Sequence, residues 1–364
     1  MINLLLSSYE ISSNWFTDWF YDPEFFFGIQ KYAVCILTGV ILAYFICTKE
    51  GKRMGINKDD VLVCVTIIVP LAIVGARIWY MVGDGYSTTK TFINEFGFFK
   101  GLWYTILEFV GYNVYAHSYQ GIAGLAIHGG VAVAAILVVI CSRWKKWELG
   151  RVVDMTAPGL LIGQICGRWG NFFNQEAHGM IVGGCQLSSD GSTLIANLSI
   201  DKQYELLTKK YLILPFIAKN MRLSGEEYYY GIVDGVNTYG YFEGENFFHP
   251  TFLYESLLNL LGLGIYFILR RRKFVRSGEF GAFYFIWYGI VRFFIEIVRT
   301  DSLYIPHTSL KMAQVTSILS ILLGIFLIIY FRFIKKNPRY IDCLKNQAIN
   351  EREEKETVEV INMK

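Results

Sequence analysis

Charge is scarce in this 364-residue chain. Asp, Glu, Lys and Arg make up 18% of it, against about 25% in an ordinary soluble domain. Several motifs by which soluble enzymes hold phosphate, metal or a nucleophilic serine are missing: there is no HExxH, GxSxG, P-loop or GxGxxG. No DxxDG-type diphosphate–metal pattern occurs either, which argues against a metal-dependent phosphoalcohol transferase. The seven cysteines (Cys35, Cys47, Cys64, Cys141, Cys166, Cys185 and Cys343) have no CxxC and no regular spacing, so neither a zinc site nor a disulfide framework is expected. No metal or other cofactor is expected. No basic stretch precedes the first apolar run, so no cleaved signal peptide is expected.

What the chain has in quantity is apolar surface: 53% hydrophobic residues and 16% aromatic ones. Seven runs approach the roughly 20 residues needed to cross a bilayer, at 25–47, 61–82, 121–141, 152–173, 250–269, 280–298 and 313–333. The fold expected is therefore an all-α polytopic membrane protein of about seven spans. The fourth and sixth runs are the least clean, because polar residues interrupt them. Basic residues cluster after the first span (Lys49, Lys52, Arg53, Lys58), the third (Arg143, Lys145, Lys146, Arg151), the fifth (Arg270, Arg271, Arg272, Lys273, Arg276) and the seventh (Lys335, Lys336). The excess of Lys and Arg on cytoplasmic loops then places the N-terminus outside and the C-terminus in the cytoplasm. Residues 1–336 are expected to form a transmembrane catalytic domain carrying an extracellular insert at about 174–249. Residues 337–364 are expected to be a charged, frayed cytoplasmic tail. The outer segment 83–120, with Phe98, Phe99, Trp103 and Tyr104, is expected to lie partly in the membrane interface.

Ionisable residues inside predicted spans carry the functional signal. Arg77, His128, Arg168, Glu255, Arg292 and Glu296 all fall there or at span ends. Each charge near the bilayer centre costs about 2.5–3.5 kcal/mol, so these side chains should face one another or a wet cavity. Tyr288, Arg292, Glu296 and Arg299 are spaced to share one stripe of a helix. Arg292 and Glu296 can pair at i, i+4, as a packing ion pair or as part of an anion site. The second basic residue favours the anion site, since one carboxylate cannot neutralise two guanidiniums. The densest run is Gly167-Arg168-Trp169-Gly170-Asn171-Phe172-Phe173-Asn174-Gln175-Glu176-Ala177-His178-Gly179. If it is helical, Gln164, Arg168, Asn171 and Gln175 share a face. Arginine offers a forked, permanent cation suited to phosphate, and asparagine can bind ester or glycerol oxygens. The glycines alone read equally as a packing seam. His128 precedes Gly129 and Gly130, which leave room for a substrate backbone. It has no His or Cys at i+3 or i+4, so it reads as a packing residue or a base rather than a metal ligand. Pro250 suits a first helical turn, and Glu255 and Asn259 then share a face.

At these residues the chain resembles the prolipoprotein diacylglyceryl transferase family. The resemblance rests on the run from Gly167 to Gly179, on His128-Gly129-Gly130, and on His249-Pro250 with Tyr254-Glu255. It rests also on Tyr288, Arg292, Glu296 and Arg299, on Arg299-Thr300-Asp301-Ser302-Leu303, and on Lys311, Ala313 and Gln314. These pieces follow one another across all seven predicted spans. The resemblance implies a multi-pass enzyme of the bacterial inner membrane that takes phosphatidylglycerol and the lipobox cysteine of a prolipoprotein signal peptide. It implies thioether formation, release of glycerol phosphate, and the first step of lipoprotein maturation. It implies catalytic roles for His128, Arg168, Tyr288 and Arg292. Substrate-binding roles fall on Tyr32, Asn171, Glu176, Gly179 and Arg299, to which the intramembrane Arg77 and Glu296 are added. No nucleic-acid partner is expected. The chain departs from the family at Ala33, where Gly usually follows the tyrosine, and at Met180, where a basic residue is common. These departures bear on the lid, the exit route and precursor selectivity.

The residue types suit that chemistry. The thiol must become a thiolate to attack carbon, and His128 is placed to take its proton, directly or through Tyr288 or a water. Developing charge on a phosphate leaving group needs fixed cations, most effective in a low-dielectric site. A lipid flippase or anion transporter could use the same arginines, but the repeats common in transporters are not seen. A structural or receptor-like membrane protein has no need of clustered intramembrane Arg, His and Glu. The predicted orientation is tested by fusions: a reporter active only outside the cytoplasm should work when fused near Gly191 and be silent after Arg272. The reverse pattern contradicts the orientation.

Overall fold

The computed structural model describes residues 30–83, 86–119, 127–188, 193–233, 236–300, 302–305 and 307–344. In chain order, α1 (Lys31–Arg53) and α2 (Lys58–Gly83) precede a short pair, α3 (Ser87–Phe96) and α4 (Phe98–Phe109). A ribbon of β1 (Tyr112–Asn113) and β2 (Ser118–Tyr119) leads to α5 (Ile127–Trp144) and α6 (Leu149–Phe173). Then come β3 (Cys185–Leu187), β4 (Thr193–Ala196) and α7 (Ile200–Glu205), which continues as a π-helical turn over Leu206–Lys210. They are followed by α8 (Pro215–Asn220), β5 (Arg222–Ser224), β6 (Glu227–Val233), β7 (Val236–Phe242) and β8 (Glu245–Phe247). The chain continues with α9 (Thr251–Leu269), α10 (Glu279–Val298) and α11 (Met312–Ile329), the last ending in a π-helical turn at Tyr330–Ile334.

Five helices among the described residues are long and apolar enough to cross a membrane: Lys31–Arg53, Lys58–Gly83, Thr251–Leu269, Glu279–Val298 and Met312–Ile334. His128–Trp144 within α5 is a shorter apolar helix. The fold is that of an all-α, multi-pass membrane protein. The seven predicted runs correspond to α1, α2, α5, α6, α9, α10 and α11. The first differs most: Lys49, Lys52 and Arg53, expected in a loop, continue α1 to its end. Cations in a last helical turn complement the partial negative charge of the exposed carbonyls. Parts of three sequence readings lie outside the described residues: the start of the first run at 25–29, most of the lead into His128 at 121–126, and the tail from 345 to 364.

The chain forms two compact units, one from residues up to Glu50 and from Val153 onward, the other Gly51–Val152. In the larger unit α6 is the central helix. A Cβ on Gly159 would meet Cys47 Sγ of α1 at 2.3 Å, one on Gly170 would meet Tyr32 Cδ2 at 2.6 Å, and one on Gly281 of α10 would meet Val153 Cβ at 2.7 Å. The Ser256 hydroxyl of α9 donates to the Ile165 carbonyl at 3.4 Å. With protein on several sides, α6 has little need of a lipid-compatible surface, which explains why polar residues interrupt its run. At the start of α10, buried Asp154 accepts the backbone N–H groups of Gly278 (2.6 Å), Phe280 (2.8 Å) and Gly281 (3.4 Å), a side-chain cap supplied from another helix. Buried Glu50 pairs with Arg270 and accepts the Tyr340 hydroxyl at 3.3 Å. The first residues of the expected frayed tail are therefore packed: Tyr340 is fully buried, its ring 4.9 Å from that of Phe280.

In the smaller unit α2 and α5 cross closely. A Cβ on Gly129 would lie 2.3 Å from the Gly75 carbonyl oxygen, and one on Gly75 2.4 Å from Val133. The space beside Gly129, expected to admit a substrate backbone, is filled by α2. Such glycines let two backbones approach where dispersion and packing drive helix association. The α3–α4 hairpin buries Phe92 and leaves Phe98, Phe99 and Trp103 exposed.

Between α6 and α9 the chain folds into strands. One sheet has the order β3-β4-β7-β6, antiparallel except for the β4/β7 pair, and β5 pairs with β8. Val182, Leu207, Ile217, Met221 and Phe247 share a core with Phe172 of α6 and Phe252 of α9. That shared core seats the insert directly on the helix ends that carry the site.

Candidate active site

α6, α9 and α10 each contribute to one buried network. Glu255 of α9 is its pivot, 1% exposed. One carboxylate oxygen lies 2.9 Å from Arg168 Nη2 of α6, the other 3.2 Å from Arg292 Nη1 of α10. Arg292 Nη2 lies 2.6 Å from Glu296 Oε2, one turn along α10, and Glu296 is also 1% exposed. The i, i+4 pairing expected from sequence is present. The charge argument attached to it is corrected: α9 adds a second carboxylate, so Arg168 and Arg292 face Glu255 and Glu296, while Arg299, the second basic residue of the sequence stripe, lies past the end of α10. What remains for a ligand is hydrogen-bonding capacity, since each guanidinium carries five donors.

The network extends along α6. Arg168 Nη1 donates to Asn171 Oδ1 at 3.1 Å, Asn171 Nδ2 donates to Glu176 Oε2 at 3.3 Å, and Asn174 Nδ2 donates to Glu176 Oε1 at 3.0 Å. The Tyr288 hydroxyl is within hydrogen-bonding reach of Arg168, and its ring stacks on that of Tyr284, 6.0 Å away. Tyr32 packs on Gly170, close enough to Arg168 and Glu176 to feel both charges.

The chain leaves α6 under strain. The Glu176 N–H bonds the Asn171 carbonyl at 2.9 Å and the Gln175 N–H bonds that of Phe172 at 3.3 Å. This is the Schellman pattern, which places Gln175 in the left-handed position that glycine usually takes. Gln175 has φ 54° and Ala177 φ 57°; such residues cost on the order of 1–3 kcal/mol each and persist where their surroundings over-determine them. Gln175 Nε2 donates to the Asn220 carbonyl at 3.2 Å, so it leaves the face it was expected to share with Arg168. Ala177 turns its carbonyl to the start of α9, accepting Phe252 N–H at 3.2 Å and the Thr251 hydroxyl.

Gly179 follows. Its N–H donates to the His249 carbonyl at 2.7 Å, and it pairs with Arg299 in an isolated antiparallel bridge. A Cβ there would meet Thr251 Cγ2 at 2.8 Å and the Val298 carbonyl at 3.0 Å, so only glycine fits. Arg299 is correspondingly not on the helical stripe: α10 ends at Val298 and Arg299 is extended, with φ −78° and ψ 139°. Lys311 Nζ donates to the Glu296 and Arg299 carbonyls at 2.6 and 3.1 Å, a cation at a helix C-terminus. Buried His178 joins the insert to this layer, with Nε2 2.7 Å from Glu226 Oε2 and Nδ1 3.0 Å from the Thr300 hydroxyl. His249 shares a hydrogen bond with the Tyr254 hydroxyl at 3.0 Å, and burial holds its imidazole below the ordinary value.

Of the residues singled out from sequence, Tyr32, Arg168, Asn171, Glu176, Gly179, Tyr288, Arg292, Glu296 and Arg299 all belong to the larger unit. His128 and Arg77 belong to the smaller one. His128 stands exposed in the first turn of α5. Arg77 is buried and donates Nη2 to the Glu108 carbonyl at 2.8 Å, near the end of α4. The sequence marked Glu255 as ionisable but not as the bridge. Lys311 and His178 stood in the quoted motifs without roles. Asp301, within one of those motifs, lies outside the described residues.

Fold and site together define a polytopic membrane protein built around an intramembrane arginine–carboxylate network. The family described as prolipoprotein diacylglyceryl transferase matches residues 24–330. The phosphatidylglycerol–prolipoprotein diacylglyceryl transferase of Streptococcus sanguinis (strain SK36) is 36% identical over 314 residues, 86% of this chain and 95% of that protein. The proteins of the same name from Streptococcus uberis (strain ATCC BAA-854 / 0140J) and Streptococcus mutans serotype c (strain ATCC 700610 / UA159) are 34% and 33% identical. Each match covers 86% of this chain and 95% of the relative. The chain belongs to the prolipoprotein diacylglyceryl transferase family and is a transferase.

Glu255→Ala removes the carboxylate shared by two partly buried guanidiniums. Breaking a buried pair from one side costs roughly 3–5 kcal/mol, so thermal unfolding in detergent should shift clearly downward. Glu255→Gln, which keeps the shape and one acceptor, should lose less. An unchanged midpoint in Glu255→Ala contradicts the pivot role.

Proposed function

We propose that this chain transfers the diacylglyceryl group of phosphatidylglycerol to the lipobox cysteine of prolipoprotein signal peptides, within the bacterial inner membrane and on its outer side. The thiolate sulfur attacks the glycerol carbon that carries the phosphate. A C–S bond forms, the C–O bond to phosphate breaks, and glycerol phosphate leaves with the bonding electrons. The thiol proton passes to a base, proposed to be His128. Arg168 and Arg292 bind the phosphate and stabilise the charge it gains, with Arg299 at the outer end. Tyr288 orients Arg168. Asn171 and Glu176 receive the head-group glycerol beside Tyr32, and Gly179 keeps the backbone close. Arg77 contributes through α4, whose last turn it holds. Residues 1–336 act as the catalytic domain, with 174–249 as its extracellular insert and 337–364 as the cytoplasmic tail.

The observation that carries this reading is the pair of guanidiniums from two helices held by one buried carboxylate. Their geometry is set before substrate arrives, which is how fixed charge lowers a barrier. A matched set of cations held by acidic partners also suits a ligand that must leave again after reaction.

Purified full-length protein with labelled phosphatidylglycerol and a lipobox peptide should move label onto the cysteine. Lipid movement without transfer supports a transporter and overturns the proposal. In the same assay Arg292→Lys keeps the charge but loses the planar fork. A charged hydrogen bond contributes about 1.5–3 kcal/mol, so the rate should fall by roughly tenfold or more. His128→Gln should lose about 10²–10⁴ in rate, less at higher pH where the thiol ionises unaided. Near-normal turnover in His128→Gln removes histidine from the base role.

A further inference from the structure

Asn259 is fully buried in α9, and among the described residues neither its amide nitrogen nor its oxygen has a hydrogen-bond partner. The same holds for the side-chain oxygen of Gln164 on α6. A buried polar group without a partner is costly, so its retention asks for an explanation.

Both residues lie one turn away from the ion-pair layer, on the same side of it. Gln164 precedes Arg168 by four residues, Asn259 follows Glu255 by four, and Tyr288 precedes Arg292 by four. The contacts fix the register: Glu255 meets Arg168 and Ser256 meets Ile165, so α9 runs antiparallel to α6. Trp287 Nε1 donates to the Leu258 carbonyl at 3.2 Å, so α9 runs antiparallel to α10 as well. Gln164 Nε2 donates to the Tyr284 hydroxyl at 2.8 Å, which ties α6 to α10 at this level. A second layer, neutral and hydrogen-bonding, thus lies about 5.4 Å along the helices from the charged one.

A glycerophospholipid has the same order of chemistry. Its phosphate is followed, a glycerol backbone deeper in the bilayer, by neutral ester carbonyls that accept but cannot donate. We propose that Asn259 receives the acyl-ester end of the donor lipid, its Nδ2 donating to an ester carbonyl while the arginines hold the phosphate. Asn259 is then a positioning residue that selects ester-linked lipid and sets the depth at which the reacting carbon sits. This rests on the transfer reaction proposed above.

The test compares diacyl phosphatidylglycerol with its dialkyl ether analogue, which keeps the phosphate and chains but lacks both carbonyls. Transfer to a lipobox peptide is measured for the wild-type protein and Asn259→Leu. The wild type should use the diacyl donor about five- to tenfold better in kcat/KM, the scale of one hydrogen bond. Asn259→Leu should bring the two donors to within about twofold of each other by losing rate on the diacyl donor alone. A wild-type ratio near one overturns the proposal without any variant. So does an Asn259→Leu protein that keeps the wild-type ratio, as it would if the amide held only a buried water. Transfer from both donors with no preference sinks this assignment and leaves the transferase reading intact, whereas no transfer from the diacyl donor sinks both.

Discussion

Glu255 holds two guanidiniums that belong to two other helices, and the geometry of the site follows from that one carboxylate. Arg168 could reach Asn171 from its own helix, and Arg292 could reach Glu296 from its own. Glu255 joins them, with an ion pair to each. Charge buried at this depth is tolerated because each ion is paired. The helices must therefore meet at one level, and the surrounding packing is arranged to make them do so. Gly262 lets α9 approach the Trp287 ring of α10, where a Cβ would come within 2.3 Å of the indole nitrogen. Asp154 fixes where α10 begins, and thus which of its turns faces Glu255.

The insert answers to the same constraint from the other end. Two left-handed residues after α6 carry the chain from Asn171 and Glu176 into the bridge between Gly179 and Arg299. His178 and Thr300 then tie that bridge to Glu226. Strain at Gln175 and Ala177 is offset by hydrogen bonds to Asn220 of the insert and to the first turn of α9. The ion-pair layer and the folded insert are thus linked through backbone and side-chain hydrogen bonds.

The spans were legible because a long apolar run has few alternatives in sequence. α9 and α10 lie within one residue of their expected limits. The i, i+4 pair Arg292–Glu296 was legible for the same local reason. The bridge through Glu255 was not, because its partners stand 87 and 37 residues away in sequence, 255 less 168 and 292 less 255. Periodicity within α10 could count its charges but not those arriving from α9. The left-handed Gln175 broke the helical face extrapolated past Phe173, and nothing in a non-glycine residue announces such a turn. Gly129 and Gly130 illustrate the opposite failure: small residues signal close approach, but not whether a substrate or a neighbouring helix makes it.

Because Glu255 holds both, Arg168 and Arg292 should act as one unit. A double-mutant cycle on the transfer rate tests it, using Arg168→Lys, Arg292→Lys and the double variant. Groups that work as a unit are strongly non-additive. The second substitution should cost far less than the first, in either order. Losses that simply multiply, as for independent sites, would contradict it.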